Sequence, residues 1–168
     1  MDTIFLDTET TGFSAAAGDL IVEVAIVDSR GRPIVDTLVN PERSIPVSAQ
    51  QVHGITSEMV AGAPTMKKLW PELQSIMRDK HIVIYNASFD IQFFPAKLQC
   101  AAKISCAMLR FAKVYGEPNP RYGDYRWHRL EVAARHVGHK WTGNSHRAFS
   151  DAMACRSVWM WLEMRSTK

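Results

Sequence analysis

Residues 20–39, LIVEVAIVDSRGRPIVDTLV, decide the fold class of this 168-residue chain. Apolar and β-branched residues dominate 20–27 and 33–39, and such runs predict two strands. The polar segment 29–32 between them contains Gly31 and predicts a hairpin turn. Residues 3–6, TIFL, predict a further strand before this pair. The first forty residues therefore predict an antiparallel meander.

Helical periodicity follows the meander. Leu69, Leu73 and Ile76 recur at helical spacing within 64–77. Residues 81–85 predict a buried strand, and Pro95 marks a kink or a boundary in the helix after it. The remaining predictions are helices at 107–114, 130–138 and about 145–164, with a loop at 116–123. This order predicts an α/β fold, in which helices flank a mixed sheet with an antiparallel N-terminal meander.

The length and the net charge of the chain indicate a single domain but do not indicate a specific function. The chain fits one domain, and its formal net charge is +3. Residues 120–168 hold 9 Lys and Arg against 4 Asp and Glu, while residues 1–119 hold 11 against 13. This basic C-terminal part suits a polyanionic partner near a cation site, and a solvated basic surface is the alternative.

Cysteine spacing and hydropathy give further expectations. The three cysteines have no CxxC spacing, which argues against a disulfide framework and a structural zinc site. No signal peptide and no membrane-spanning run is visible, so a cytoplasmic protein without membrane association is expected.

Asp7 and Glu9 stand two residues apart at the end of the first predicted strand. Because side chains alternate along a strand, both carboxylates should project from one face, about 6–7 Å apart. Two such acids repel each other unless a cation lies between them, and oxygen ligands suit Mg²⁺ or Mn²⁺. A solvated strand end is the alternative. An EF-hand loop is excluded, because its twelfth position would be Gly18 instead of Glu.

Asp90, His146 and Asp151 are the other candidates for chemistry. Asp90 follows the predicted buried strand and should lie at the carboxyl edge of the sheet; an acid that only favours a helix N-terminus is the alternative. His146 and Asp151 are about 500° apart on an ideal helix, so they would not share a face. They can act together if His146 lies in the preceding loop and Asp151 lies on the helix.

These residues fall into three ordered motifs, Asp7-x-Glu9-Thr10-Thr11-Gly12, Asn86-x-x-Phe89-Asp90 and His146-x-Ala148-x-x-Asp151. The series resembles the DEDDh exonucleases, the DnaQ-like group of the RNase H-like superfamily, over nearly the whole chain. The branch that holds exonuclease X and the polymerase III epsilon proofreading subunits is the most similar. The resemblance implies an RNase H-like fold and one exonuclease domain over residues 1–168. It also implies 3′→5′ hydrolysis of DNA or RNA to nucleoside 5′-monophosphates.

The resemblance implies a role for each motif residue. It implies that Asp7, Glu9, Asp90 and Asp151 hold two Mg²⁺ or Mn²⁺ ions and that His146 is the general base. The residues implied for the 3′-terminal nucleotide are Thr10, Thr11, Gly12, Phe13, His53, Asn86 and Phe89. For Phe89, packing in the core is the alternative.

The expected partner is a nucleic acid with a free 3′ end, either single-stranded DNA or RNA. Rings and guanidinium groups alternate in one segment, at Arg121, Tyr122, Tyr125, Arg126, Trp127 and Arg129. This mixture suits single strands, and a partly packed loop is equally compatible. Association with a polymerase and a homodimer stay open, and a polymerase-binding tail like that of the proofreading subunits is not expected. A non-catalytic nucleic-acid-binding module and a nucleotide phosphatase are the alternative functions.

Overall fold

A computed structural model describes residues 1–141, 143 and 145–166 of the chain. The strands of its main sheet are β1 (Thr3–Thr10), β2 (Ile21–Asp28), β3 (Pro33–Leu38), β4 (His81–Ile84) and β5 (Lys103–Cys106). They lie in the order β3-β2-β1-β4-β5. β2 is antiparallel to both β1 and β3, whereas β4 is parallel to β1 and β5. The predicted mixed sheet with an antiparallel meander is confirmed.

Helices cover both faces of the sheet. They are α1 (Val47–His53), α2 (Ser57–Val60), α3 (Met66–Met77), α4 (Ala87–Asp90), α5 (Ala107–Tyr115), α6 (Leu130–His136) and α7 (Ala148–Ser166). Short 3₁₀ turns occupy Ala15–Ala17, Ile91–Phe93 and Pro95–Leu98. None of the described helices combines the length and the hydropathy that a membrane crossing needs.

Side-chain alternation along β1 separates two apolar layers. Phe5 packs in the cluster built by α5, α6 and α7, while Ile4 and Leu6 pack in the cluster on the α3 side. Asp7 and Glu9 continue the Phe5 face by the period of two. The core packing of β1 therefore directs both carboxylates toward α7.

Helix α7 begins at Ala148, three residues later than the predicted start near 145. His146 has a φ of 61°, a left-handed conformation that cannot belong to an α-helix. The amide of Ala148 instead donates to the side chain of Glu23, at 2.8 Å. That acceptor satisfies a helix-terminal N–H group and fixes the first turn of α7.

The segment predicted as a loop at 116–123 contains regular structure. β6 (Pro118–Asn119) pairs antiparallel with β7 (Asp124–Tyr125), and Gly123 takes a φ of 69° in the turn between them. The Gly and Pro content that indicated a loop also suits a tight hairpin. The first strand is likewise longer than predicted, because pairing with β2 extends β1 to Thr10.

Candidate active site

Three carboxylates converge where β1 passes under the start of α7. Asp7, Glu9 and Asp151 each place one oxygen within 4.8 Å of the other two. The first two project from β1, and Asp151 lies in the first turn of α7. Oxygens this close can share a hard divalent cation. The all-oxygen donor set therefore fits Mg²⁺ or Mn²⁺.

Asp90 joins this cluster from the end of α4. It is buried, and the hydroxyl of Thr8 donates to its Oδ1 at 2.7 Å. Among the neighbouring charges, that of Asp90 raises the pKa of Asp7 the most. Thr8 was not predicted as a site residue, and its role is to fix the orientation of the Asp90 carboxylate.

Burial and mutual repulsion raise the pKa of all four carboxyl groups. Burial is the larger cause for Asp7, whose pKa lies well above the ordinary range, and the neighbouring charges raise it further. Burial likewise raises the pKa of Glu9 to about 8, that of Asp90 to about 7 and that of Asp151 to about 6. Shifts of this direction mean that the cluster favours bound positive charge, either as protons or as a cation.

The carboxylates line an open cleft of about 630 Å³. This volume is in the range of small-molecule sites. The same cleft is lined by His146 and by the residues predicted to bind a nucleotide, namely Thr10, Thr11, Gly12, Phe13, His53, Asn86 and Phe89. The structure therefore brings every predicted site residue to one place.

The loop after β1 is held by its own side chains. The hydroxyl of Thr10 donates to the carbonyl of Gly12 at 2.6 Å, and that of Thr11 donates to Asp19 at 3.2 Å. A Cβ at Gly12 would overlap the carboxylate of Asp19. Glycine is therefore needed here for the packing of Asp19, independently of any ligand.

His53 is buried in the wall of the cleft at the end of α1. Its Nδ1 accepts a hydrogen bond from the amide of Ile55 at 3.0 Å, so the ring proton resides on Nε2. Burial lowers its pKa, which keeps the ring neutral at neutral pH. Among the described residues Nε2 has no hydrogen-bond partner of good geometry. The backbone carbonyl of Thr10 interacts with the ring and opposes part of the fall in pKa, so it is an acceptor available to the Nε2–H group, and a ligand oxygen in the cleft would compete with it.

His146 lies in the loop before α7, outside the predicted helix start near 145, and Asp151 lies on the helix. This is the arrangement in which the sequence allowed the two residues to act together. The backbone amide of His146 donates to Asp151 Oδ1 at 3.3 Å. Its Nε2 lies 3.4 Å from Glu131 Oε1, which belongs to the first turn of α6. Sequence reasoning missed Glu131, because this contact joins two segments that only the tertiary fold brings together.

Sequence reasoning also missed Glu23, which pairs in register with Glu9 on the α7 face of the sheet. The carboxylate is buried and accepts from Arg147 Nε at 3.1 Å to each oxygen, from Arg147 Nη2 at 2.5 Å and from the Ala148 amide. This ion pair anchors the chain directly after His146. An isolated acid in the apolar run 20–27 was the available signal, since a buried charge needs a partner.

Residues 4–158 match the model of the RNase T exonuclease family. The chain belongs to this exonuclease family. It is 40% identical over 162 residues to the uncharacterized exonuclease CP81 of Escherichia phage 186, covering 89% of this chain and 82% of the phage protein. It is 35% identical over 148 residues to the DNA polymerase III subunit epsilon-like protein of Rhodobacter capsulatus, covering 80% of this chain and 21% of that protein. The chain thus spans most of one relative and about a fifth of the other.

Solved structures of exonucleases share the fold of this RNase T family member. Exonuclease X in complex with 5′ overhanging duplex DNA has a TM-score of 0.75 at 23% identity, covering 99% of this chain and 93% of that chain. Exonuclease I of E. coli, in a zinc-bound complex with single-stranded DNA, has a TM-score of 0.76 at 18% identity, covering 99% and 41%. The predicted family and RNase H-like fold are confirmed, and the family is one of nucleases.

We expect Arg147→Met to reduce both stability and turnover. The substitution leaves the Glu23 carboxylate buried without its cation. We expect a loss of about 1–3 kcal/mol, below the value for a fully buried pair because the Arg147 side chain is 37% exposed. Turnover should fall about 10- to 100-fold as the His146 loop loses its anchor. Urea denaturation and steady-state nuclease assays measure the two effects.

Arg156→Met is the matched control, because Arg156 lies on the same helix and donates to the carbonyl of Ser29 at 2.8 Å. It should keep turnover close to that of the parent protein. Arg147→Lys should recover part of both losses. If Arg147→Met is less stable and keeps full turnover, the ion pair stabilises the fold but does not position the His146 loop for catalysis.

The raised carboxyl pKa values predict that the metal-free protein loses stability as pH rises. Unfolded Glu9 and Asp90 titrate near pH 4, whereas in the fold their pKa values are about 8 and about 7. Their protonated forms favour the fold at low pH, and this contribution is lost as pH rises through 7 and 8. The melting temperature in EDTA should therefore fall between about pH 6.5 and about pH 8.5. Saturating Mn²⁺ should remove the fall, as scanning fluorimetry can measure.

The window begins near pH 6.5 because buried histidines act in the opposite direction below it. Burial lowers the pKa of His53, His81 and His139, so their contribution to stability rises with pH and is complete above their ordinary value. The Glu9→Gln, Asp90→Asn double variant should show a flatter profile. A flat profile in the unsubstituted protein would contradict the raised pKa values of these buried carboxyl groups.

Proposed function

We propose that this nuclease is a divalent-cation-dependent 3′→5′ exonuclease. It would hydrolyse the last phosphodiester bond of DNA or RNA and release nucleoside 5′-monophosphates. The observation that carries the proposal is the convergence of Asp7, Glu9, Asp90, Asp151 and His146 in one open cleft. The family supports nuclease chemistry, and the motif order supports the polarity.

The carboxylate cluster is proposed to hold the cations. Asp7, Glu9 and Asp151 would ligate Mg²⁺ or Mn²⁺, with Asp90 beside them serving a second ion. Two such ions supply charge neutralisation and an activated water when bound. The support on the protein side is the set of raised pKa values, because a cluster that attracts protons at neutral pH attracts cations for the same reason.

His146 is proposed as the general base. Its ring lines the cleft with 46% of the side chain exposed, so solvent can deliver the attacking water to it. The carboxylate of Glu131, 3.4 Å from Nε2, would stabilise the imidazolium that forms when the ring takes a proton. Proton transfer of this kind typically contributes about 10²–10⁴-fold to a rate.

The 3′-terminal nucleotide is proposed to lie between the loop after β1 and α4. Phe13 is 85% exposed at the rim, and Phe89 is half-buried against Phe93 with ring centroids 5.3 Å apart. Gln92 Nε2 donates to the carbonyls of both Phe13 and Phe89, which ties the two ring-bearing segments together. The Nε2–H group of His53 would donate to an oxygen of this nucleotide.

Contacts from the remaining predicted residues complete this subsite. Thr10, Thr11 and Gly12 would form the wall of this subsite by shape, because both threonine hydroxyls, the Thr11 amide and the Gly12 carbonyl are already hydrogen-bonded within the protein. The amide of Asn86 lies on the opposite wall, where its Oδ1 accepts from Ser88 at 3.2 Å. Association with a polymerase and formation of a homodimer stay predictions.

A time course on single-stranded DNA and RNA of matched sequence tests the proposal. Each strand is labelled at its 5′ end and incubated with Mg²⁺, Mn²⁺ or EDTA. We expect a descending ladder that requires a divalent cation, and no cleavage when a 3′-terminal phosphorothioate blocks the first bond. Early release of the labelled 5′ mononucleotide would overturn the polarity. Binding without cleavage would favour the non-catalytic module, and hydrolysis of free nucleotides alone would favour the phosphatase.

A further inference from the structure

Residues 117–129, termed the hairpin arm, extend from one wall of the cleft. β6 and β7 form the paired part of the arm, and its returning limb continues into residues 127–130, which line the cleft. The hydroxyl of Tyr85 donates to the carbonyl of His128 at 2.9 Å. Tyr85 directly follows β4, so the arm is attached to the sheet beside the carboxylate cluster.

Three aromatic side chains of the arm face solvent. Tyr122 is 69% exposed, Tyr125 is 42% exposed and Trp127 is 63% exposed. Single exposed apolar side chains are ordinary, whereas three rings within six residues form a patch. Part of the arm is packed, as the alternative of a partly packed loop allows, since the ring of His128 contacts that of Tyr115, but the three exposed rings lie outside that contact. The Arg121 guanidinium lies over one face of Tyr122, 5.4 Å from the ring centroid, and a planar ligand could stack on the exposed surface of the three rings that remains.

The arm also supplies cations that the rest of the cleft does not. Among the described residues that line the cleft, Arg129 is the sole Lys or Arg. Residues 10–19, α1 and α4 contain neither amino acid, although the guanidinium of Arg43 donates to the carbonyl of Gly18 at 2.9 Å. Arg121 and Arg129 are exposed, while Arg126 lies 3.3 Å from Glu117 in an ion pair.

A strand whose end lies in the cleft must leave it over one of these walls. Its phosphates are stabilised by Lys or Arg, and the arm is the wall that carries such residues next to exposed rings. On the wall formed by residues 10–19, the guanidinium of Arg43 is offset by the neighbouring carboxylate of Asp19.

We propose that the hairpin arm binds the nucleotides that precede the 3′-terminal one, as a single strand; this inference rests on the 3′→5′ activity proposed above. Trp127 stacks on the base closest to the cleft, and Tyr125 and Tyr122 contact bases farther along. Arg129 and Arg121 contact the phosphates. Paired bases do not present their faces to side chains, so a flush duplex end is a poor ligand for the arm.

Fluorescence anisotropy in EDTA tests the arm with two probes, oligothymidylates of two and ten nucleotides with a 5′ fluorophore. Tyr125→Ala and Tyr122→Ala should each lower the affinity for the ten-nucleotide probe about 5- to 100-fold. Each should change the affinity for the two-nucleotide probe less than about twofold. Arg121→Ser should also lower the slope of log affinity against log salt by about 0.7. Arg30→Ser, an exposed arginine in the β2–β3 turn, is the control and should change neither quantity.

Several outcomes would overturn the assignment. If the variants lose affinity for both probes equally, or for neither probe, the arm does not bind the nucleotides that precede the 3′ end. Equal affinity for a flush ten-base-pair duplex, with the same dependence on Tyr125, would overturn single-strand binding. Thermal melting of each variant shows whether the fold is kept. The protein with Mn²⁺ could fail to shorten the ten-nucleotide probe while binding still depends on Tyr125. That result would contradict the proposed exonuclease activity and would still support single-strand binding by the arm.

Discussion

Asp7→Asn is expected to lower turnover by about 10⁴-fold, the largest effect of any single substitution in this protein. Asp7 belongs to the three-carboxylate cluster and feels the charges of the other acids most strongly. A catalytic metal ion supplies several kcal/mol of transition-state stabilisation, and about 5.4 kcal/mol corresponds to 10⁴-fold. Single-turnover cleavage of a labelled oligonucleotide with saturating Mn²⁺ measures this loss.

The same substitution should raise the melting temperature of the metal-free protein. Asn has the shape of Asp without its charge, so Asp7→Asn removes one member of a mutually repelling, buried set. The rise should be larger at about pH 8 than at about pH 6, because more of the cluster is ionised there. Asp36→Asn is the matched control, since Asp36 also has a pKa raised by burial and lies on β3 outside the cleft lining. Full activity in Asp7→Asn would sink the proposed mechanism.

His146→Ala is expected to lower turnover about 10²–10⁴-fold while affinity for Mn²⁺ changes little. The ring would accept a proton without ligating the cation. Calorimetric titration with Mn²⁺ and single-turnover cleavage separate the two quantities. A collapse of metal affinity in step with turnover would make His146 a ligand instead of the base.

The left-handed backbone at His146 requires a second variant. Ala tolerates a φ of 61° poorly, whereas Asn adopts it more readily, so His146→Asn removes the imidazole with less backbone strain. Both variants should show the same loss of turnover if the imidazole carries the chemistry. Recovery in His146→Asn alone would instead assign the effect to the backbone. His136→Ala, an exposed histidine of α6 outside the cleft lining, is the control.

The site residues that belong to short sequence motifs could be predicted from the sequence alone. Asp7 and Glu9 could be placed together because strand alternation is local. The i to i+5 spacing of His146 and Asp151 showed that they could act together only if a loop preceded the helix, which is what the structure has. Four of the five strands of the sheet could be predicted for a similar reason, since they are apolar runs bounded by turn residues. The fifth, β5, was missed because its sequence KISC is not such a run.

Residues that act through partners distant in the chain could not be predicted. Glu23 and Arg147 are 124 positions apart, and the structural role of each depends on its ion pair with the other. The start of α7 was wrong for the same reason, since the acceptor for the Ala148 amide comes from β2. The protonated nitrogen of His53 is likewise set by the Ile55 amide, a matter of backbone geometry that residue identity does not reveal.

The register between β1 and β2 has a consequence for how this chain can change length during evolution. Glu23 lies opposite Glu9, and a shift of β2 by one residue would turn Glu23 to the other face of the sheet. Arg147 would then lose its carboxylate. Insertions and deletions among homologues should therefore fall in the 12–20 loop, where they leave the pairing unchanged, and be absent from β2. The length of that loop can change where the contacts of Thr11 and Ser14 with Asp19 are kept, while the spacing within the strand cannot.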